Sequence, residues 1–464
     1  MSRAGPDAAT HPPVRGTELR LTERVLDEGT GRAEFAYDLD GERFVETLEL
    51  GPTSGPGTGP PQAALDLVLD ACHILMGTSY FKLTAPRRLV LARPAPKNLV
   101  DVARLAYDEG MREFAVRNGL EVPLRTEIVA KEMGAALTAG TRFNAVPLPP
   151  GQGVLAPIGG GKDSAAVLTL LPRATGFCVS PTPAQSALAA AAGVELLEAR
   201  RHLDPHLAQA TTRPGSMNGH VPVTAINSSI SVLAALLNGY GTVVMGNERS
   251  ASEPTRVVGG VAVNHQFSKS LAMEAALQDV FAGAGIDYFS LLRQLSELSI
   301  AGIVARSALR SHFLSCNRAF RLSRPAASAQ GWCLECAKCL FTFLCFAVHM
   351  APDDAHAIFG GDPLGTAANV PGFRELWSDE DKPFDCVGER AESAVAMARL
   401  AQDVRWAGST VVMALGAEAA EAAAAMGADM AELVRPGGPH LMPEQFAALA
   451  SAAASEAAGK EAWS

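Results

Sequence analysis

Polar and apolar residues alternate through AEFAYDLDGERFVETLEL (residues 33–50), with Asp40-Gly41 in the middle. A period of two reads as strand, and Asp-Gly between two such runs reads as a tight hairpin. The run GPTSGPGTGPP (51–61) offers nothing to bury and is expected to be a loop. Leu65, Leu69, Cys72 and Met76 then recur at helical spacing within 63–76, and 101–118 has a helical pattern too. These segments predict an α+β N-terminal domain over 21–150, after a disordered lead of 1–20.

From residue 154 short apolar runs alternate with helical stretches: 154–158, 164–171, 175–179, 184–192 and 194–197, then helix 224–237 and TVVMG (242–246). This is the rhythm of α/β folds, a parallel sheet with helices on both faces. Such sheets bind ligands at the carboxyl ends of their strands, so the loops after 158 and after 246 should face one cleft. The nucleotide-type domain is expected over 151–350. A helical C-terminal region is expected over 351–464, Ala-rich in its last fifty residues.

The totals narrow the classes. At 464 residues the chain exceeds one ordinary core. With 48% hydrophobic and 19% charged residues it is globular. A net charge of −10 disfavours a nucleic-acid surface. No apolar run has the length of a membrane span, and MSRAGPDAATHPPVRG has no apolar centre, so the expected location is cytoplasmic. The 8 cysteines are then expected to be thiols or metal ligands rather than disulfides. Nothing in the sequence determines an oligomeric state.

VLAPIGGGKDSAAVLTLL (154–171) places Gly159, Gly160 and Gly161 between a strand and a helix that opens with Lys162, Asp163 and Ser164. Glycines let backbone approach phosphate, and the N–H groups of a helix start favour anions. The Walker pattern fails, because Asp163 stands where a hydroxyl should follow the lysine, and the dinucleotide pattern lacks its third glycine. A plain strand–helix turn, with Asp163 and Ser164 as caps, is the bland alternative. The stretch resembles the pyrophosphatase loop S-G-G-x-D-S of enzymes that split ATP to AMP and pyrophosphate. Gly160, Gly161, Asp163 and Ser164 match that pattern, while Gly159 replaces its serine.

SCNRAF supplies Cys316, and GWCLECAKC supplies Cys333, Cys336 and Cys339. Four thiolates at this spacing suit a closed structural zinc site, with an iron–sulfur cluster or redox cysteines as alternatives. The arrangement is similar to the zinc knuckle of the deazaguanine nitrile synthases, which carry the same loop.

Other polar residues gather within about a hundred positions of the loop. Asn247, Glu248 and Arg249 follow a strand, His265 and Lys269 stand four apart, His220 precedes a helix and Arg293 follows YFSLL. Glu248 suits magnesium; Arg249 and Arg293 suit carboxylates or phosphates. His220, His265 and Cys386, the last in FDCVGE, are candidate proton carriers. Singly, each could be a cap or a surface group.

Taken in order, MGTSYFK, PIGGGKDS, NGHVPVTAINSSISV, NERSAS, NHQFSKS, YFSLLR, SCNR, WCLECAKC and PFDCVGE resemble one family. It is the MurL family of ATP-dependent UDP-N-acetylmuramoyl-L-alanyl-L-glutamate epimerases, and the resemblance spans residues 76–390 or so. It implies a HUP-type nucleotide core, ATP and magnesium as cofactors, and a small-molecule substrate, a UDP-linked muramoyl dipeptide, for peptidoglycan synthesis. The implied reaction inverts the terminal L-glutamate through an acyl-adenylate. Lys162 and Gly159–Gly161 would then take the leaving pyrophosphate, Asp163 and Glu248 would organise magnesium, and His265 or Cys386, with His220 as a rival, would move protons. An adenylating amide ligase, a nitrile- or thiolation-type enzyme and a non-catalytic nucleotide sensor remain alternatives.

Overall fold

A computed structural model describes residues 14–51, 59–132, 153–318, 331–378, 383–385 and 387–458. Most of the lead, most of the glycine/proline loop and Cys386 lie outside these.

The described strands are β1 (Glu18–Asp27), β2 (Arg32–Leu39), β3 (Glu42–Glu49), β4 (Arg88–Ala95), β5 (Glu127–Glu132), β6 (Val154–Pro157), β7 (Thr175–Val179), β8 (Leu196–His202), β9 (Thr242–Met245), β10 (Arg256–Val258), β11 (Val261–Val263) and β12 (Asp287–Ser290). Ten form one sheet in the order β12-β9-β6-β7-β8-β3-β2-β1-β4-β5, while β10 and β11 pair separately. The five strands from β12 to β8 are parallel. The β2–β3 hairpin turns at Asp40-Gly41, both at positive φ, as the alternating pattern predicts.

β8 joins the halves. It lies antiparallel to β3, pairing Thr47 with His202, Leu48 with Arg201 and Glu49 with Arg200. The sequence pattern ends this strand at 197, because the residues beyond it are charged. They stay extended because Arg201 ion-pairs with the fully buried Glu46 of β3 and also donates to Ser79 Oγ at 2.9 Å.

Strand alternation feeds two cores. Leu155, Phe177, Val243, Met245 and Tyr288 pack on one face, under helices Gln62–Met76, Lys97–Tyr107, Val223–Asn238 and Leu271–Ala282. Val154, Ala156, Cys178, Val244 and Phe289 pack on the other, under helices that include Lys162–Leu170, Glu297–Ala305 and Ala337–Ala347. The Ala-rich tail forms helices Thr410–Ala425 and Glu444–Ala458 over this second core. In the last helix, Ala447, Ala450, Ala454 and Ala457 recur every three or four residues and are buried. Phe446 meets Phe289 with ring centroids 4.8 Å apart.

The pattern over 101–118 predicts one helix, and the structure breaks it. Lys97–Tyr107 ends at Asp108, a single 3-10 turn covers Glu109–Met111, and a new helix runs over Arg112–Arg117. Asp108 Oδ1 accepts from Leu124 N–H at 3.0 Å, and Gly110 lies close against Pro222. The break redirects Glu113 toward the segments bearing the two candidate histidines.

Candidate functional site

A cavity of about 290 Å³ opens at the carboxyl ends of β6, β7 and β9. Gly159, Gly161, Asp163 and Ser164 lie on one side of it, with Gly246 and Asn247 after β9. The loops after residue 158 and after 246 therefore share one cleft, as the parallel pattern requires. Ile158, Phe177, Val179 and Met245 form an apolar wall, and Thr224, Asn227 and Ser231 line it from the helix Val223–Asn238.

The glycine loop is tightly fixed. Ser164 Oγ accepts from Gly159 N–H at 2.8 Å, and Ser315 Oγ accepts from Lys162 N–H at 3.3 Å. Gly160 takes φ +81°, and a Cβ there would lie 3.0 Å from Gln185 Cγ. A Cβ on Gly161 would lie 2.7 Å from Ser315 Oγ, whereas one on Gly159 would meet only Ser164 Oγ, at 3.9 Å. Glycine is thus demanded at 160, a Cβ at 161 would force the Ser315 hydroxyl to move, and the unusual residue at 159 sits where a side chain would fit.

The lysine of the motif does not line the cavity. Lys162 is 2% exposed, and its ammonium ion-pairs with Asp163 and with Glu297 of the helix Glu297–Ala305. Burial alone would discharge it, but Asp163, Glu297 and Glu248 together hold its pKa well above the ordinary value. Asp163 does face the cavity. Burial pushes its pKa up, and the lysines at 162, 269 and 338 outweigh that and hold it low. Lys269 and Lys338 both line the cavity. Lys338, inside CAKC, was not among the sequence candidates. The cue was its place between two cysteines of a knuckle whose other segment, Leu314–Ser315, touches the glycine loop.

The four candidate cysteines do converge. The sulfurs of Cys316, Cys333, Cys336 and Cys339 lie within 4.8 Å of one another. Tetrahedral zinc with Zn–S near 2.3 Å would set sulfurs about 3.8 Å apart; Cys333 and Cys339 are 3.7 Å apart. Cys336 N–H also donates to Cys333 Sγ at 3.4 Å. The donor set fits a closed structural metal site, with every position taken by sulfur. The knuckle is bound to the cavity: Leu314 N–H donates to Gly160 O at 2.9 Å, and Asn317 lines the cavity beside Cys316.

Glu248, Arg249 and Arg293 are placed differently from Asn247. Glu248 is buried, and its carboxylate lies 3.6 Å from Lys269 Nζ. Arg249 pairs with Glu389 at 3.1 Å. Arg293 is 2% exposed, ion-pairs with Glu274, and donates to the carbonyls of Glu248 at 2.7 Å and Lys269 at 2.6 Å. The two arginines line a second cavity of about 330 Å³, away from the glycine loop, together with Arg112 and Asn264.

His220 and His265 meet, with ring centroids 4.7 Å apart. The Glu113 carboxylate lies beside both; this acid is nearly fully buried and was missed because its helix pattern gives no sign of a buried acid. Its Oε2 is hydrogen-bonded to His265 Nδ1, and its Oε1 accepts from Arg117 Nε at 2.6 Å. Burial would raise the Glu113 carboxyl, but the hydrogen bond and charge of His265 bring it below its usual range. Burial, then the neighbouring His265, pushes His220 down to about 4. The chain neighbours of this cluster reach both cavities: Asn264 and Arg112 line the second, Lys269 the first.

The sequence as a whole matches two family descriptions in tandem, the MurL N-terminal domain over residues 11–291 and the MurL C-terminal domain over residues 312–430. The chain belongs to the MurL family. A relative from Salinispora tropica is 40% identical over 437 residues, covering 91% of this chain and 93% of its own. One from Micromonospora sp. is 40% identical over 435 residues, with 91% and 95% covered. One from Xanthomonas oryzae pv. oryzae is 37% identical over 409 residues, with 85% and 88% covered. All three are named UDP-N-acetyl-alpha-D-muramoyl-L-alanyl-L-glutamate epimerase. No solved structure matches the chain significantly. The N-terminal MurL match takes in the glycine loop, Glu113 and both histidines; the C-terminal one takes in the cysteine cluster. No described helix is long and apolar enough to cross a membrane.

Proposed function

We propose that the chain inverts the terminal L-glutamate of UDP-MurNAc-L-Ala-L-Glu to D-glutamate, consuming ATP and releasing AMP and pyrophosphate. The observation that carries this reading is the glycine loop facing Lys269 and Lys338 across one cavity, in a chain 40% identical to a relative named as that epimerase. The parallel order β12-β9-β6-β7-β8, with the loop after β6, supports a HUP-type core.

The α-hydrogen beside a free carboxylate resists removal, because the carbanion would form next to a negative charge. Converting the α-carboxylate to an acyl-adenylate removes that charge and lets an enolate carry the electrons. The apolar wall of Ile158, Phe177, Val179 and Met245 suits a flat adenine, and the loop with Lys269 and Lys338 suits the departing pyrophosphate. Lys162, buried on Glu297, acts by holding Asp163 ionised at the cavity wall. Asp163, on the cavity lining, would hold magnesium, which when bound neutralises phosphate charge; the Glu248 carboxylate lies 3.6 Å from Lys269 Nζ. The four cysteines would hold zinc, which when bound would brace Leu314–Asn317 and Lys338 at the cavity. His265 removes or returns the Cα proton, and Cys386 remains a candidate for the opposite face. Reduced cysteines and a UDP-linked substrate support a cytoplasmic location.

The test is incubation with ATP, magnesium and UDP-MurNAc-L-Ala-L-Glu in D₂O. AMP release with deuterated D-glutamate is the expected result. Bound ATP with neither AMP nor deuterium at Cα, on a folded and metal-loaded sample, would instead favour the nucleotide-sensor reading.

A further inference from the structure

We propose that the second cavity is an oxyanion site for the muramoyl dipeptide, in which Arg112 and Arg249 take a phosphate or carboxylate that does not react. The inference rests on the epimerase reading above and adds to it a place for the substrate apart from the glycine-loop cavity.

The lining is cationic in a chain whose net charge is −10. Arg112, Arg249 and Arg293 line the cavity against one acid, Glu109. They come from three separate stretches of chain, so the fold brings them together. Pro254, Phe267, Leu271 and Pro439 supply much of the remaining wall, and apolar surroundings strengthen a contact between charges by lowering the local dielectric.

Each guanidinium is held by an acid that does not line the cavity. Arg112 pairs with Asp108 at 3.4 Å, Arg249 with Glu389 at 3.1 Å and Arg293 with Glu274 at 2.5 Å. Such acids fix the orientation of a guanidinium and leave part of its five N–H groups for another anion. Nε of Arg112 and Nε of Arg293 are buried and have no partner among the described residues. A buried charged donor without a partner is destabilising, and carboxylates and phosphates are the groups whose geometry matches a guanidinium.

The site backs onto the glycine-loop cavity. Asn247 and Lys269 line the first cavity, while their chain neighbours Arg249 and Ser270 line the second. Arg293 ties these two segments together by donating to the carbonyls of Glu248 and Lys269. ATP and a UDP-linked dipeptide are both polyanions. Two cavities, each with its own cations, can hold them side by side without bringing their charges together. The substrate offers an unreacting anion at each end, the diphosphate and the glutamyl γ-carboxylate.

Ala272 allows a test that adds a charge without removing one. It is exposed, lines the cavity and stands in the first turn of the helix Leu271–Ala282, where an acid is well tolerated. Calorimetry of the metal-loaded protein with UDP-MurNAc-L-Ala-L-Glu compares Ala272→Glu, its neutral control Ala272→Gln, and Arg112→Gln. We expect affinity for the dipeptide to fall about tenfold or more in Ala272→Glu and Arg112→Gln and to stay near wild type in Ala272→Gln, with ATP affinity unchanged throughout. Competition by UDP and by L-Ala-L-Glu identifies the anion, because the competitor that weakens in Ala272→Glu supplies it. The inference is overturned if neither competitor weakens, if Ala272→Glu and Arg112→Gln bind the dipeptide like wild type, or if ATP affinity falls in step. Wild-type protein that binds the dipeptide yet releases no AMP from ATP would sink the epimerase reading and leave the anion site standing; failure to bind it at all would sink both.

Discussion

The ammonium of Lys162 is ion-paired with the carboxylate of Glu297, both side chains being almost completely buried. Removing one partner of such a pair leaves an uncompensated charge and costs about 3–5 kcal/mol. Lys162→Met is therefore expected to lower the urea midpoint strongly, and Glu297→Gln in the same chain should recover part of the loss. Unchanged stability with weakened ATP binding would mean that Lys162 serves the cavity directly.

A second buried acid, Glu392, whose carboxylate accepts from Glu297 N–H at 2.6 Å, makes stability depend on pH. Burial, then Glu389 and Glu297, pushes the Glu392 carboxyl from 4.5 up to about 8. The folded chain keeps a proton there that the unfolded chain has lost, so stability falls as pH rises from 4.5 to about 8. The slope for one proton is at most about 1.4 kcal/mol per pH unit. Glu392→Gln should flatten it, as read by denaturant titrations at both ends of that window. An unaltered slope would assign the effect elsewhere.

The glycine loop predicts unequal tolerance. Gly160→Ala forces a side chain to φ +81° and against Gln185, at a cost of about 1–2 kcal/mol from the backbone alone. Gly159→Ser, with open space at its Cβ, should fold and bind ATP much as wild type does. Calorimetric binding of ATP to both variants checks the contrast; equal damage at both positions would refute it.

Metal removal should reach the nucleotide. Cys316 adjoins Ser315 and Asn317, and Lys338 lies between two ligands, so losing the ion should loosen one wall of the cavity. A charged hydrogen bond contributes about 1.5–3 kcal/mol, so loss of the Lys338 contact should weaken ATP binding about tenfold or more. Chelation in the presence of a colorimetric zinc indicator, followed by ATP titration, measures both quantities. Full ATP affinity in metal-free, folded protein would limit the cluster to stability.

Much of the fold was legible because local rules and tertiary structure agree. The period of two around Asp40-Gly41 needed only its own turn, and the run Thr175–Val179 is bounded by its own polarity. The cysteine cluster was legible because spacing alone brings three of its thiols together. Three features were not, and each depends on a partner far along the chain. The charged end of β8 is stable only against Glu46. The break at Asp108 depends on Leu124 and Pro222. Glu113 looks like an ordinary helical acid until His265, from the other half of the chain, closes on it. Arg293 shows the converse: its residue type suits a ligand anion, yet its partners are Glu274 and two backbone carbonyls.

The pairing of β3 with β8 has a consequence for handling the protein. Each strand covers a row of backbone donors and acceptors that the other would otherwise leave bare. A fragment ending on either side of the join would present an unprotected strand edge, a template for pairing with further copies of itself. Protection of that edge belongs to the whole chain, and neither half can be expressed alone without exposing it.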